Sequence, residues 1–180
     1  EALVISARPP ASAPAVDAEA ARRITVRRTL PSGDPERFLR VARGRARGFW
    51  ARGPRWAAHA GVLASLVDSG GPGRTDRIRA AAAGVAGEEV EPDGLRFYGG
   101  FAFRDRATTG GWWDGFPPAL FHLPEVEFDG EGEGEATLRV RALIGPDADG
   151  AGVDEVRARL EREADDWVAR VSSAAVDPHA

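Results

Sequence analysis

At 180 residues, 43% of them hydrophobic, the chain is long enough to bury one sizeable core, and its net charge of -4 gives no global attraction to nucleic acid or an anionic membrane. There is no cysteine, and all 24 Lys or Arg positions are arginine, which excludes disulfides, thiolate metal sites, cysteine nucleophiles and lysine chemistry. No apolar run approaches the roughly 18 residues of a membrane helix, and no leader pattern opens the chain, so we expect a cytoplasmic protein without a membrane partner.

The first periodic elements are a strand and a short helix. Residues 24–30 alternate apolar and polar side chains, as a half-buried strand does. Asp34 is placed to cap the free amides of a helix whose first residue is Pro35, and Gly44 predicts the end of that helix.

Residues 45–52 and 55–66 predict a hairpin that turns at Gly53-Pro54. Residues 37–67 hold seven arginines and no acid, interleaved with Phe38, Phe49, Trp50 and Trp56. Single-stranded nucleic-acid binders use this pattern for phosphates and stacking. Because the net charge is negative, we favour solvated strand edges, and nucleic acid is not an expected partner.

The rest of the chain predicts a helix over 76–83 that ends at Gly84, strands over 95–105, 119–128 and 135–144, and an amphipathic helix over 153–172. The strand over 95–105 is the central one, and Gly99 and Gly100 stand in it where side chains would pack. We interpret the pair as a bulge, or as a point where something approaches the backbone closely.

Two glycine-rich loops resemble ligand loops without completing either pattern. Residues 69–73 lack the lysine and the spacing of a phosphate loop. Residues 129–135 begin like a calcium loop, but Val140 stands where the bidentate glutamate is required, so a solvated hairpin tip is the preferred interpretation. Asp147 and Asp149, in the next loop, are likewise interpreted as solvated side chains in preference to metal ligands.

Candidate ligand-binding side chains are few. Trp112 and Trp113 are neighbours in a loop, where we favour a core plug and its cover over a stacking surface. His59 and His122 lie on separate predicted strands, so they could meet at a metal or proton-transfer site, although lone strand histidines are more often core or rim residues. His179 is in the last residues of the chain.

Several short matches, taken in order, resemble isochorismate synthases, within the chorismate-utilising enzymes. Residues 97–105 read Phe-Tyr-Gly-Gly-Phe-Ala-Phe-Arg-Asp and residues 116–124 read Phe-Pro-Pro-Ala-Leu-Phe-His-Leu-Pro, like a strand, loop and strand of that family's N-terminal half. Residues 48–56 and 58–64 resemble its earlier strand pair. The similarity spans residues 24–142.

The resemblance implies the N-terminal, non-catalytic portion of an isochorismate synthase, which converts chorismate to isochorismate in menaquinone or siderophore biosynthesis. The family's Mg²⁺ ligands, its lysine general base and its glutamate general acid belong to the C-terminal half. We therefore assign no catalytic, cofactor-binding or metal-binding residue here, expect no bound cofactor, and expect chorismate to be engaged through the missing half. The span should be inactive alone, and the chain, which has no methionine, is expected to be a piece of a longer protein.

The predicted fold is α+β: a mostly antiparallel sheet of about six strands with helices packed on one face. Residues 1–22 are predicted to be a flexible lead-in, 23–173 a single domain and 174–180 a tail. An apolar surface left exposed by the missing half would favour self-association. Three alternatives remain open: an anthranilate, aminodeoxychorismate or salicylate synthase portion, a free-standing binding module rich in arginine and tryptophan, and an interaction domain without a ligand.

Overall fold

A computed structural model describes residues 22–86, 94–102 and 116–173, which form eight strands and three helices. The strands are β1 (Arg22–Leu30), β2 (Arg47–Arg52), β3 (Arg55–Ala60), β4 (Ala64–Asp68), β5 (Tyr98–Phe101), β6 (Ala119–Leu123), β7 (Val126–Glu131) and β8 (Ala136–Ile144). The helices are α1 (Pro35–Val41), α2 (Arg74–Ala86) and α3 (Gly150–Ser172).

The described strands form two antiparallel sheets. The large sheet has the order β1-β8-β7-β3-β2, and the small sheet has the order β4-β6-β5. The α+β class is therefore confirmed. Its strands are divided between two sheets, where the sequence predicted one.

The main core lies between one face of the large sheet and the helices α1 and α3. Alternate residues of β1, β7 and β8 point to this face, because successive side chains of a strand point to opposite sides. Phe38 of α1 is fully buried, with its ring stacked 5.0 Å from Trp167 of α3 and 5.6 Å from Phe128 of β7. Burial of this apolar surface is the main stabilising contribution of the core.

Both helices of this layer begin at a capping aspartate. The Asp34 carboxylate accepts a hydrogen bond of 2.9 Å from the Arg37 amide, and Pro35 follows as the first residue of α1. Asp149 accepts one of 2.8 Å from the Gly152 amide at the start of α3. The predicted start of the first helix is confirmed, and Asp149 acts as a cap.

The small sheet and α2 come from one continuous segment, residues 64–123, inserted between β3 and β7. They share a second apolar cluster, formed by Leu66, Ile78, Val85, Ala119 and Leu123. The chain enters this segment after Gly61 and leaves it at Pro124-Glu125. Two short connections therefore join two layers that have separate cores.

Two predicted strands are wrong in extent, because each is divided where the chain passes between the sheets. The strand over 55–66 breaks at Gly61, which has a φ of 73°, and becomes β3 and β4. The strand over 119–128 breaks at Pro124, which has no amide hydrogen to donate to a ladder, and becomes β6 and β7. Gly61 and Pro124 are the positions in the sequence at which the two crossings occur.

Two other boundaries differ from the prediction. α2 continues through Gly84 to Ala86, because Val85 packs into the second core and outweighs the low helix propensity of glycine. The strand expected to be central is reduced to β5, an edge strand of the small sheet. Its predicted continuation over 103–105 lies outside the described residues.

Residues 1–21, 87–93, 103–115 and 174–180 also lie outside the described residues. The predicted lead-in, except Arg22, and the predicted tail fall there, as do Trp112, Trp113 and His179. Across the described parts of the chain, no helix is long and apolar enough to cross a membrane.

Candidate functional site

The second face of the large sheet is polar, and the small sheet lies against it. Pairing between strands places five residues in one row across the sheet: Arg27, Arg139, Glu127, His59 and Gly48. Each alternates along its strand with residues that point into the main core, so the row faces away from that core. Glu127, Arg139 and Arg141, three of the buried charged residues, lie on this face.

Glu127 is the centre of the polar face, with only 1% of its surface exposed. One carboxylate oxygen accepts hydrogen bonds from Arg96, at 2.7 Å, and from the Tyr98 hydroxyl, at 3.0 Å. The other oxygen accepts one of 2.8 Å from Arg141 of the adjacent strand β8. A buried carboxylate needs such partners, because burial of an unpaired charge is very costly.

Asp129 lies two residues along β7 and extends the same network. Its carboxylate is 3.1 Å from the Arg96 guanidinium and forms a hydrogen-bonded ion pair with Arg139. Arg96 and Tyr98 come from the chain at β5, whereas Glu127, Asp129 and Arg139 belong to the large sheet. Charged hydrogen bonds therefore join the two sheets.

The charge states of this network follow from its geometry. Burial opposes the charge of Arg96, but the carboxylates of Glu127 and Asp129 outweigh burial and raise the pKa of its guanidinium. Burial, together with the charge of Glu127, raises the pKa of the Tyr98 phenol. Tyr98 therefore remains a neutral donor at physiological pH.

The two strand histidines meet beside this network. The His59 Nδ1 and His122 Nε2 atoms are 3.5 Å apart, and the His59 ring stacks on Tyr98 with 4.1 Å between centroids. His59 is only 5% exposed, and burial, together with the nearby His122, lowers its pKa to about 3. Burial also lowers the pKa of His122. Both imidazoles are therefore neutral at pH 7.

We define the inter-sheet cluster as these eight residues: His59, Arg96, Tyr98, His122, Glu127, Asp129, Arg139 and Arg141. The two histidines could supply two imidazole nitrogens to a metal, but no group of three or more ligating side chains exists among the described residues. Both oxygens of Glu127 accept hydrogen bonds from donors within the cluster, which leaves this carboxylate poorly suited to act as a general base. The arrangement is suited to holding two sheets together.

The other predicted loops serve structural roles where the structure describes them. Residues 129–135 include the β7–β8 turn, where Gly132 has a φ of 60°, and Asp129 faces Arg96 and Arg139. At the start of the 69–73 loop, the Asp68 carboxylate accepts hydrogen bonds from the Gly70 amide and the Arg77 side chain. In both loops, the described aspartate is held by arginine side chains.

The arginine and aromatic pattern of residues 37–67 does not form one stacking surface. Phe38 and Trp56 are buried, Phe49 is half-buried, and Trp50 is exposed. Arg45 lies within 4.0 Å of the carboxylates of Glu125 and Glu163. Three of these four aromatic side chains, Phe38, Phe49 and Trp56, pack in or against the main core.

The sequence interpretation missed the inter-sheet cluster, apart from its histidines. One signal was present, because Glu127, Arg139 and Arg141 alternate with apolar residues in strands. A charged face of this kind is ordinarily solvated, and only the covering small sheet turns it into an interior.

The fold and the site define an α+β protein with two antiparallel sheets joined by a buried charged cluster. No protein-family model matches the sequence, and no curated protein matches it at a significant level. Among solved structures, it is similar to MenF, the menaquinone-specific isochorismate synthase from Escherichia coli, at 16% identity and a TM-score of 0.47. The match covers 88% of this chain and 31% of the MenF chain. This likeness is a distant structural relationship, and no argument about function rests on it.

Proposed function

We propose that this chain is the N-terminal, non-catalytic portion of an isochorismate synthase, an enzyme that converts chorismate to isochorismate. The proposal rests on the sequence segments that resemble this family and on the way they form strands. Residues 48–60 of the first resembling pair lie in the β2–β3 hairpin, and residues 61–64 lead from it to β4. The later pair contains β5 and β6, which pair with each other. This succession of strands supports the proposal.

The observation that carries the proposal is the backbone contact at Gly99. A Cβ atom built on Gly99 would lie 2.0 Å from the carbonyl oxygen of Leu120, so no side chain fits there. Gly99 pairs with Phe121, which places one resembling segment directly against the other. Gly99, the first glycine of the pair on which the resemblance rests, therefore has a structural role.

The chemistry of the family also limits what this chain can do. Its general base is a lysine, and the sequence contains none. The ionic groups of the inter-sheet cluster form ion pairs with one another, an arrangement that suits a scaffold. We therefore infer that Mg²⁺ and the reacting part of chorismate are bound by a second portion.

The test is to read the source gene beyond the codon for Ala180 and to assay chorismate turnover with Mg²⁺. We expect a continuing reading frame that encodes a lysine-bearing strand and helix-borne glutamates. We also expect isochorismate from the longer product, and none when EDTA replaces Mg²⁺. The 180-residue chain alone should leave chorismate unchanged.

Three outcomes would overturn the proposal. A stop codon directly after Ala180 would mean that no second portion with the catalytic residues follows in the same chain. Turnover by the 180-residue chain itself would contradict a non-catalytic role. Anthranilate, aminodeoxychorismate or salicylate as the product would assign the chain to another chorismate-utilising enzyme.

A further inference from the structure

The contact between the two sheets differs in kind from the contacts inside each layer. The large sheet and the small sheet belong to separate apolar clusters. Across the face between them, the described contacts include the ion pairs of Arg96, the Tyr98 hydrogen bond, and the packing of His59 on Tyr98 and His122. A change of charge inside this contact would weaken it without removing either core.

The connections between the layers allow such a change to act locally. The segment 64–123 is attached at Gly61 and at Pro124-Glu125, and the two attachments touch, since a Cβ built on Gly61 would lie 2.2 Å from the Glu125 carboxylate. Gly61 has a φ of 73°, in the left-handed region that favours glycine. A rotation of the small sheet and α2 away from the large sheet would bend the chain at this one place, and it would also break the hydrogen bond from Arg23 of β1 to the Val85 carbonyl of α2.

We propose that the His59–His122 pair makes the contact between the sheets sensitive to acid, so that protonation of the pair releases the small sheet from the large one. His59 is buried, and its imidazole lies over Gly48 of β2 on one side and Tyr98 on the other. Glu127 pairs with His59 across the sheet, but its oxygens already accept hydrogen bonds from Arg96, Tyr98 and Arg141, so an imidazolium would have to compete with these donors.

The nearby His122 opposes protonation of His59 in addition to burial. The titratable and charged groups facing it are Tyr98 and Arg96 at β5, His122 on β6, Glu127 and Asp129 on β7, and Arg139 and Arg141 on β8, while β2 contributes only Gly48. Three guanidinium groups thus face two carboxylates. A further positive charge raises the repulsion inside a low-dielectric interior.

The direction of the pH effect follows from linkage. The pKa of His59 falls from its ordinary 6.5 to about 3 in the closed structure, so the closed form is fully favoured above pH 6.5 and loses stability as the pH falls toward 3. Between pH 7.5 and pH 5, His59 alone increases the ratio of open to closed forms about 30-fold. Glu125 at the hinge acts in the opposite sense, because burial raises its pKa.

Hydrogen exchange at pH 7.5 and pH 5, corrected for the intrinsic rate at each pH, tests the proposal on the 180-residue chain. At pH 5, amides of β5 and β6 should lose protection by about 30-fold through His59 and further through His122, whose pKa is lowered as well, whereas those of β8 and α3 should keep theirs. Equal loss of protection in both sheets would mean global acid unfolding and would overturn the proposal.

Two variants assign the effect to the histidines. His59→Gln removes the titrating group and keeps a polar side chain, and it should reduce the pH response of β5 and β6 at least fivefold. If this variant is open at both pH values, His122→Gln decides, because His122 is only half-buried and its replacement should still reduce the response. His179→Gln is the matched control and should respond as the unaltered chain does. An unchanged response in His122→Gln, or a lost response in His179→Gln, would contradict the proposal.

Discussion

On one face of the large sheet, apolar side chains meet α1 and α3; on the other, charged and aromatic side chains meet the small sheet. The first contact is non-directional and scales with buried area, as in the stack of Phe38 on Trp167. The second depends on matched partners, since Glu127 is stable in the interior only while its donors are present. The large sheet therefore contacts the helices through apolar packing and the small sheet through charged hydrogen bonds.

This difference sets how each contact responds to perturbation. An apolar contact weakens in proportion to the volume removed, and pH leaves it unchanged. A buried charged contact fails when one partner is lost, because the remaining charges stay buried. Mutations and changes of pH can therefore distinguish the apolar contact from the charged contact.

The largest effect is expected from Glu127→Ala. Removing this carboxylate leaves Arg96 and Arg141 without a shared partner, which should lower the free energy of unfolding by about 3 to 5 kcal/mol. Urea unfolding of the 180-residue chain measures it. The matched control is Glu133→Ala at the exposed β7–β8 turn, with an expected change below about 0.5 kcal/mol. Equal losses of unfolding free energy in the two variants would contradict a central role of Glu127 in the inter-sheet cluster.

The next effect is expected from Leu160→Ala in α3. Leu160 is 1% exposed in the main core, and the cavity left behind should cost about 3 kcal/mol in the free energy of unfolding. The cost should be the same at pH 7.5 and pH 5, because no titratable group is involved. A cost that varied with pH would show that the two faces are not independent. Val67→Ala, at an exposed site of β4, is the control and should be near neutral.

A smaller effect separates the two neighbouring glycines of β5. Gly99→Ala forces a Cβ against the Leu120 carbonyl and should cost about 1 to 3 kcal/mol of unfolding free energy. Gly100→Ala meets nothing within 4 Å and should be neutral or slightly stabilising. Thermal unfolding of both variants measures the contrast. Equal losses would exclude the close backbone approach.

The smallest effect concerns Asp68, at the end of β4. Hydrogen bonds from Arg77 and from the Gly70 amide lower the pKa of Asp68 to about 2. The resulting stability is present above pH 3.8, the ordinary value, and is lost as the pH falls toward 2. Asp68→Asn should therefore be less stable than the unaltered chain at pH 7, and the difference should shrink across that window. A constant difference in acid titrations followed by circular dichroism would contradict this.

Local signals in the sequence were sufficient for much of the fold. Asp34 with Pro35 located the start of α1, the alternation over 135–144 located β8, and the three-and-four spacing over 153–172 located α3. These features are decided by neighbouring residues, as capping and periodicity are. The α+β class followed from them.

Local sequence signals could not predict the division of the strands into two sheets. Gly61 and Pro124 mark breaks in the two stretches, but neither residue shows that the chain passes from one sheet to another. Strand pairing depends on distant partners, such as Ala57 opposite Asp129, so hydrophobicity alone does not fix it.

The candidate site was predicted only in outline. His59 and His122 were identified as residues that could meet, and they do. Arg96 and Glu127 drew no attention, because a charged residue in a strand is ordinarily solvated. The burial of Glu127 depends on Arg96 and Tyr98, which are distant in sequence and cover the polar face.

The most direct test of the account is a double-mutant cycle across the two sheets, with Tyr98→Phe on one side and Glu127→Gln on the other. Tyr98→Phe removes the hydroxyl 3.0 Å from Glu127 and keeps the ring that stacks on His59. We expect a coupling free energy of about 1 kcal/mol or more, because the hydrogen bond is buried and accepted by a charged group. A coupling within about 0.3 kcal/mol of zero would contradict a buried charged contact between the sheets.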